Sequence, residues 1–308
     1  MTYNQLWKRL TAIYNEREAK AIVRTVLDAL FGMSLTDICL GKVTQLSADD
    51  TTRLEKIIQR LEKSEPVQYV LGAEWFAGRL FDVAPGVLIP RPETEDLVKW
   101  ACDEAKEKEK EDNSKEERGK EEKEGFKKEE EAPHPSILDI GTGSGCIAIT
   151  VALALPQAHV TAWDISPDAL AIAAGNAHKL GASVRFEHQD ALSAPDDEER
   201  WDVIVSNPPY ICDRERADMS DNVLSYEPEL ALFVPDSDPL LFYRAIARYA
   251  SKALKPDGRL LFETNTAYAH EVAQAMADEG FTAIEVRNDC FGKPRMVKGA
   301  FIREELIK

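Results

Sequence analysis

The segment Ser136–Ala154 reads SILDIGTGSGCIAITVALA, an apolar strand-like run, a glycine-rich turn and a second apolar run of helical length. Gly141, Gly143 and Gly145 let the backbone turn tightly and approach a ligand closely, and the start of a helix offers unpaired N–H groups. Such a turn suits a nucleotide or dinucleotide, and it also occurs as a purely structural feature. The segment therefore predicts a strand, a loop able to hold a ligand, and a helix.

Strand-like and helix-like stretches alternate around this segment. The predicted strands are Ser136–Ile140, His159–Trp163, Ser183–Glu187, Asp202–Ser206, Gly258–Glu263, Thr282–Arg287 and Met296–Ile302, and the predicted helices are Gly145–Ala154, Pro167–Leu180, Pro239–Leu254 and Thr266–Glu279. Alternation of this kind indicates a parallel sheet covered on both faces by helices. The last two strands have no helix between them, so we expect one of them to be antiparallel. Ligands bind such sheets beyond the carboxyl ends of the strands.

Acidic residues follow the second and third of these strands. Asp164 lies 23 residues after Gly141, and its carboxylate can accept hydrogen bonds from both ribose hydroxyls of a nucleoside. The alternative for Asp164 is a cap on the helix that begins near Pro167, although Ser166 is better placed for that. Asp190 is a candidate acceptor for an adenine amino group or, alternatively, a solvated loop carboxylate.

The fourth strand ends in VSNPPY, so that Asn207, Pro208, Pro209 and Tyr210 directly follow it. The side-chain carbonyl of Asn207 and the backbone carbonyl of Pro208 are two acceptors that suit one NH2 group. A planar amide or aryl amine is a poor nucleophile because its lone pair is delocalised. Holding both N–H bonds while the lone pair faces an electrophile favours attack. This loop predicts chemistry on an NH2 group rather than a merely rigid turn.

DIGTGSG, Asp164 and NPPY together resemble the class I S-adenosylmethionine-dependent methyltransferases that act on planar nitrogens. PVQYVLG (Pro66–Gly72), FDVAPGVLIPRPETE (Phe81–Glu95) and YEPELAL (Tyr226–Leu232) further resemble the HemK/PrmC family, the protein-glutamine N5-methyltransferases of class 1 peptide-chain release factors. The resemblance covers nearly the whole chain except Asp103–Glu131. It implies an α/β fold with a Rossmann-like class I methyltransferase sheet, mostly parallel with one antiparallel strand, a small N-terminal helical domain and a β-hairpin linker.

The resemblance also implies roles for individual residues. S-adenosyl-L-methionine would lie along the first loop, with its ribose at Asp164 and its adenine beside Asp190. The implied cofactor-binding set is Asp139, Gly141, Thr142, Gly143, Ser144, Gly145, Asp164, Asp190, Ala191 and Asn207, and the implied substrate-binding set is Asn207, Pro208, Pro209 and Tyr210, of which Asn207, Pro208 and Tyr210 are catalytic. Some members of the family carry a bulky side chain at the position of Ala191.

The expected reaction is transfer of a methyl group to the side-chain nitrogen of the glutamine in the GGQ motif of class 1 release factors. The motifs contain no strong general base. A ribosomal-protein glutamine and the N6 amine of adenine in a nucleic acid are alternatives with the same NH2 chemistry. The formal charge of −17 argues against a nucleic acid. A catalytically silent adaptor is a third alternative, against which the intact NPPY argues.

The part of the chain before these motifs has a different character. Residues 1–73 are predicted to form a helical domain, with Asn15 and Ser47 as helix caps. We expect this domain to recognise the substrate protein, because one glutamine gives too little surface for protein-level specificity. Residues 74–91 are predicted to form a β-hairpin and linker, and residues 92–308 the methyltransferase domain. Arg91, Glu93 and Glu95 either line the active site or join the domains by a salt bridge. Glu227 either contacts substrate or anchors its loop.

A charged run, Asp103–Glu131, interrupts the methyltransferase part. Among its 29 residues 14 are acidic and 9 basic, and Phe126 is its only large apolar side chain. A segment of this composition cannot build a core, which predicts disorder or a frayed helix, with a docking role as the alternative. We therefore expect that removing the run leaves folding and catalysis intact.

Composition narrows the class of protein. A chain of 308 residues with 44% hydrophobic residues is typical of a globular protein. Its longest nearly apolar run, Cys146–Leu155, is about half the ~20 residues that span a bilayer, and Met1–Tyr14 has no unbroken signal-peptide core. Five cysteines without C-x-x-C and five scattered histidines suggest neither a disulfide framework nor a metal site. We expect a cytoplasmic monomer that contacts no membrane and no nucleic acid directly.

Overall fold

The computed structural model describes residues 1–121 and 134–302. The first part of the chain forms helices α1 (Tyr3–Leu10), α2 (Glu16–Phe31), α3 (Leu35–Cys39), α4 (Ala48–Leu61) and α5 (Val67–Leu71). Two predicted caps are confirmed, because the side chains of Asn15 and Ser47 accept hydrogen bonds from the backbone N–H groups at the starts of α2 and α4. The apolar faces of these helices share a core of their own, which includes Leu6, Leu10, Leu27, Leu54 and Ile58.

A β-hairpin follows, as predicted. Strands β1 (Ala73–Phe76) and β2 (Arg79–Asp82) pair antiparallel, and Phe76 is opposite Arg79. The two-residue turn has φ values of 48° at Ala77 and 72° at Gly78. Two positive φ angles in a two-residue loop match the twist of the strands, and glycine adopts the second one without strain.

The remainder of the chain contains the elements that carry the site. In chain order they are α6 (Thr94–Glu121), β3 (Ser136–Ile140), α7 (Cys146–Ala154), β4 (His159–Asp164), α8 (Pro167–Leu180), β5 (Val184–His188), β6 (Trp201–Ser206), β7 (Ile211–Cys212), α9 (Asp221–Tyr226), α10 (Glu229–Leu232), β8 (Phe233–Val234), α11 (Leu241–Ala253), β9 (Leu254–Glu263), α12 (Ala269–Asp278), β10 (Thr282–Asn288) and β11 (Pro294–Phe301).

Seven of these strands form one sheet in the order β10-β11-β9-β6-β3-β4-β5. The neighbours from β9 to β5 pair parallel, and β11 runs antiparallel to both β9 and β10. The predicted fold class, with one antiparallel strand near the end of the chain, is therefore confirmed. Every residue of β6 is buried, as expected for a strand covered by helices on both faces.

Two predicted starts differ from the structure by three residues or more, and the other predicted boundaries of the sheet and its helices differ by at most two. The strand predicted at Gly258–Glu263 begins at Leu254, because Leu254 already pairs with Trp201 ahead of a register shift. The helix predicted from Thr266 begins at Ala269, since Asn265 caps a preceding 3-10 turn.

The order of the central strands sets the position of the site. Strands β6, β3 and β4 are neighbours and parallel, so their carboxyl ends meet at one edge of the sheet. The residues that follow these three ends are the Gly141 loop, Asp164 and Asn207. The chain thus brings its three motifs to one place.

Helix α6 corrects the prediction for the charged run. Glu104 and Lys108 are each only 5% exposed. The carboxylate of Glu104 accepts hydrogen bonds from the indole of Trp100 at 2.9 Å and the ammonium of Lys298 at 2.5 Å, and Lys108 donates to the carbonyl oxygen of Pro256 at 2.9 Å. The expectation that a run of this composition takes no part in a core is wrong for residues 103–111, because paired charges can be buried. Residues 122–131 of the run lie outside the described part of the chain.

Within residues 1–121 and 134–302, we find no helix that is both long and apolar enough to cross a membrane.

Candidate active site

A cavity of about 310 Å³ lies at the carboxyl edge of the central strands. Loops after β3, β4, β5 and β6 form its floor, and the linker after the hairpin and the start of α10 form further walls. The predicted site residues that line it are Gly141, Gly143, Asp164, Asp190, Ala191, Asn207, Pro208 and Pro209. The three motifs therefore share one cavity.

The glycines of the first loop differ in what surrounds them. A Cβ atom added at Gly141 or Gly143 would meet no protein atom within 4 Å, and both residues line the cavity. A Cβ atom at Gly145 would lie 2.7 Å from Cδ1 of Ile149 and 3.1 Å from Cβ of Ala173. The first two glycines leave space open for a ligand, whereas Gly145 allows α7 to pack closely on α8.

Asp139, Thr142 and Ser144 are buried behind this loop and do not line the cavity. One carboxylate oxygen of Asp139 accepts hydrogen bonds from the hydroxyl of Thr142 at 2.6 Å and the N–H of Ala148 at 3.2 Å. Burial raises the pKa of Asp139 to about 7. These contacts make Asp139 a support for the loop.

Asp164 ties two segments of the cavity wall together. Its carboxylate accepts a hydrogen bond from the N–H of Gly143 at 2.8 Å and another from the N–H of Ser166 at 2.9 Å. The side chain of Ser166 caps α8 by accepting from Ala169, so the helix cap falls to Ser166 rather than Asp164. The ribose role of Asp164 stays a prediction.

The far end of the cavity is largely apolar. Asp190 accepts a hydrogen bond from the N–H of Leu192 at 2.8 Å and thereby shapes its own loop. Beside Ala191, the side chains of Phe242 and Ile246 from α11 line the cavity. The sequence analysis missed these two residues because only the tertiary packing of α11 brings them to the site.

The NPPY residues take two different positions. Asn207, Pro208 and Pro209 line the cavity, whereas Tyr210 is not among the lining residues. The Tyr210 hydroxyl donates to the carboxylate of Glu263 at 3.3 Å. The substrate-binding and catalytic role of Tyr210 stays a prediction.

Glu263 is a buried carboxyl that the sequence analysis missed. It ends β9, next to β6, and is fully buried. Its second oxygen accepts a hydrogen bond from the Thr94 hydroxyl at 2.7 Å, and burial raises its pKa to about 7. The available signal was a lone acidic residue at the end of the apolar run GRLLFE, in a strand of the same predicted sheet.

Glu227 joins two walls of the cavity. Its carboxylate accepts hydrogen bonds from the N–H of Ile89 at 3.2 Å and the guanidinium of Arg91 at 2.6 Å, and its side chain is 1% exposed. Next to it, Tyr226 donates to the carbonyl oxygen of Lys63 at 2.8 Å. Of the two alternatives for Glu227, these contacts favour anchoring of its loop, and Arg91 is the partner in the salt bridge.

Comparison with known proteins gives two matching family models. One is described as a PrmC N-terminal domain and matches residues 3–72, and the other is described as a methyltransferase domain and matches residues 132–299. The second match alone covers more than half of the chain.

Curated relatives align over nearly the whole chain. A release factor glutamine methyltransferase of Bacteroides thetaiotaomicron is 44% identical over 289 residues, which cover 94% of this chain and 95% of the relative. One of Flavobacterium psychrophilum is 36% identical over 297 residues, which cover 96% and 97%. These matches confirm the resemblance drawn from the motifs. The chain belongs to the family of release factor glutamine methyltransferases.

Proposed function

We propose that this protein transfers a methyl group from S-adenosyl-L-methionine to the side-chain nitrogen N5 of a glutamine, that of the GGQ motif in class 1 peptide-chain release factors. The observation that carries the proposal is that Asn207 and Pro208 line the same cavity as the glycine loop and Asp164. Two carbonyl oxygens that can accept hydrogen bonds from an NH2 group, next to residues suited to a nucleoside, favour transfer of a methyl group to a primary amide. The two curated relatives described above are named release factor glutamine methyltransferases.

The residues around the cavity fit S-adenosyl-L-methionine. Gly141 and Gly143 leave open space along the first loop, where the amino-acid part would lie. Asp164 offers a carboxylate for the ribose, and Phe242 and Ile246 offer apolar surface to the adenine beside Ala191. The aromatic ring of Phe242 gives the adenine a partner that Ala191 cannot provide. When bound, the cofactor supplies a methyl group on a positively charged sulfur.

Asn207 and Pro208 would prepare the glutamine for reaction. Their carbonyl oxygens accept the two N–H bonds of the amide, so that the nitrogen lone pair faces away from them. Orientation and exclusion of water carry most of the rate enhancement, because the electrophile is already charged. The proton of the methylated nitrogen leaves to water or through Asn207.

The helical residues 1–73 would recognise the folded release factor. They form a separate core and contact the loop of Tyr226 at the cavity wall. A partner held there would have its glutamine near the cavity. We also propose that the protein acts as a monomer in the cytoplasm, where translation terminates, and binds no nucleic acid directly.

Mass spectrometry tests this function. The purified protein is incubated with isotope-labelled S-adenosyl-L-methionine and, separately, a class 1 release factor, ribosomal proteins or DNA. We expect one labelled methyl group on the glutamine of the release factor and none on a release factor in which that glutamine is replaced by alanine. Label confined to a ribosomal protein or to adenine would contradict the proposal.

A further inference from the structure

A line of hydrogen bonds runs from a buried carboxyl to the wall of the cavity. The Thr94 hydroxyl donates to Glu263 at 2.7 Å, and the side-chain nitrogen of Asn207 lies 3.5 Å from the Thr94 oxygen. Thr94 is 2% exposed and Glu263 is fully buried. No step of the proposed reaction uses Thr94 or Glu263.

The chemistry of these groups gives the line a direction. An ionised carboxylate only accepts hydrogen bonds, so the single hydroxyl hydrogen of Thr94 is committed to Glu263. The Thr94 oxygen can then only accept from Asn207, which turns the NH2 end of the Asn207 amide toward Thr94. The carbonyl oxygen of Asn207 is the end that remains for the cavity. The 3.5 Å separation is long, as is common before a substrate tightens a site.

We propose that Thr94 and Glu263 are positioning residues that fix which end of the Asn207 amide faces the substrate. This inference rests on the proposed function, in which the Asn207 oxygen accepts an N–H bond of the glutamine. A flipped Asn207 would present its own N–H bonds to an NH2 group, and two donors cannot pair. Tyr210 contributes a second hydrogen bond to Glu263 at 3.3 Å, which ties the same loop to the same carboxyl.

The direction of the line depends on the charge of Glu263. The titratable and charged groups that face this carboxyl are Glu93 ahead of α6, Arg295 on β11, Tyr210 after β6, Tyr243 on α11 and Cys146 on α7. Glu93 raises and Arg295 lowers the pKa of Glu263, and burial outweighs both, so that the pKa is about 7. Below this pH the protonated carboxyl can donate to Thr94, whose hydrogen is then free to turn toward Asn207. Turnover should therefore fall as the pH falls through about 7.

Substitutions of Thr94 test the inference by kinetics. Thr94→Val keeps the shape of the side chain and removes the hydroxyl, and we expect kcat to fall on the order of 10- to 100-fold with the KM for the cofactor little changed. Thr94→Ser restores the hydroxyl and should restore most of kcat. The kcat of this variant should again fall below pH 7, as in wild type. Thr150→Val is the matched control, because the buried Thr150 hydroxyl has no hydrogen-bond partner among the described residues. Equal kcat in wild type and Thr94→Val would overturn the inference.

A spectroscopic measurement separates this inference from the proposed function. In an ¹⁵N NMR spectrum of the whole protein, the side-chain NH2 signals of Asn207 are assigned by their loss in Asn207→Ala. We expect these signals to titrate with a midpoint near 7 in wild type and to lose that titration in Thr94→Val. If the chemical shifts of the Asn207 signals did not change with pH in wild type, the inference would be overturned. This outcome does not depend on which substrate the enzyme methylates. Absence of methyl transfer to the release factor would instead count against the proposed function.

Discussion

Asn207 lies where the proposed cofactor and substrate sites adjoin. It lines the cavity together with the glycine loop, and it follows β6 directly. We predict that Asn207→Ala lowers turnover by two orders of magnitude or more, roughly the loss seen when a transition-state hydrogen-bond partner is removed, while cofactor binding largely survives. A tritiated-methyl assay and calorimetry of cofactor binding measure the two effects.

The control for this variant is Asn288→Ala. Asn288 is exposed near the end of the edge strand β10, so its loss should leave both turnover and binding unchanged. Full turnover in Asn207→Ala would remove Asn207 from the chemistry.

Gly143 and Gly145 make a second test at the residue scale. Both have positive φ, 55° and 82°, so alanine strains the backbone by about 1 kcal/mol at either position. At Gly145 the new methyl group also overlaps Ile149 and Ala173, which adds about 1–3 kcal/mol. We predict that Gly145→Ala lowers the thermal midpoint more than Gly143→Ala does. We also predict that the loss of cofactor affinity, compared with the loss of stability in the same variant, is larger for Gly143→Ala than for Gly145→Ala.

Thermal unfolding and cofactor titration of the two variants decide this prediction. A larger loss of stability in Gly143→Ala than in Gly145→Ala would mean that the open space beside Gly143 does not serve to hold a ligand.

The site residues that the sequence predicted are those with local signals. The glycine loop, Asp164 and the NPPY loop each directly follow a recognisable strand, and strand ends meet at one edge of a parallel sheet. Thr94 and Glu263 could not be predicted in the same way. Each lies behind the site only because α6 and β9 pack beside β6, and neither the threonine of PRPETE nor the acidic residue that ends GRLLFE reports such packing by itself.

At the scale of elements, α6 is the helix whose burial the sequence analysis misjudged. Its first turns cover the sheet, and Glu104 pairs with Lys298 and Arg259 at 2.5 and 3.3 Å. We predict that Glu104→Ala lowers the free energy of unfolding by about 3 kcal/mol. Two largely buried cations then lose their nearest carboxylate and keep only the more distant Glu285 at 3.5 Å and Glu111 at 3.9 Å. Glu107→Ala, at an exposed position on the same helix, should change it by less than about 0.5 kcal/mol.

Urea unfolding of both variants measures these changes. The burial of Glu104 also changes the expected effect of deleting the charged run. Removal of residues 112–131 keeps the buried turns of α6 and should leave the fold intact, whereas removal of residues 103–131 deletes those turns and should destabilise it. Equal stability of Glu104→Ala and Glu107→Ala would mean that these turns do not hold the sheet.

Strands and helices were predictable to different degrees for a physical reason. The strands of a covered parallel sheet are short apolar runs between turns, and β3 was predicted residue for residue. Beyond Cys102, α6 buries the small apolar Ala105 and otherwise charged side chains, whose partners lie on β9 and β11, far along the chain. Composition counts such residues as solvated, so only the tertiary pairing reveals that they are buried.

At the scale of the whole molecule, two buried carboxyls link stability to pH. The pKa values of Asp139 and Glu263 are raised to about 7 from ordinary values of 3.8 and 4.5. The folded protein therefore binds more protons than the unfolded chain between about pH 4 and pH 7, and the free energy of unfolding falls as the pH rises through this range. We predict that Asp139→Asn and Glu263→Gln each reduce the slope of this decline.

Urea unfolding at pH 5, 6, 7 and 8 measures the slope, with Glu107→Gln as the control. Burial also raises the pKa of Glu74, so part of the decline should persist in either variant. Stability that rises between pH 5 and pH 7 would show that Asp139 and Glu263 are ionised at low pH in the folded protein.

The cavity is lined by the linker and the methyltransferase part of the chain, and the segment before α10 ties its wall to the helical part. Glu227 links the loop before α10 to Ile89 and Arg91 of the linker, and Tyr226 links the same loop to Lys63 of the helical part. A substrate bound to the helices, as proposed, would be connected through this segment to the cavity. This connection gives the proposed division between recognition and catalysis a structural basis.

The central claim is that Asn207 and Pro208 hold a primary carboxamide for attack on a methyl group. The most direct measurement is a crystal structure of the protein with the demethylated cofactor and a peptide containing the GGQ sequence. The account predicts that the glutamine nitrogen lies within about 3.2 Å of both the Asn207 side-chain oxygen and the Pro208 carbonyl oxygen. A glutamine bound in the cavity with these two oxygens directed away from its nitrogen would contradict it.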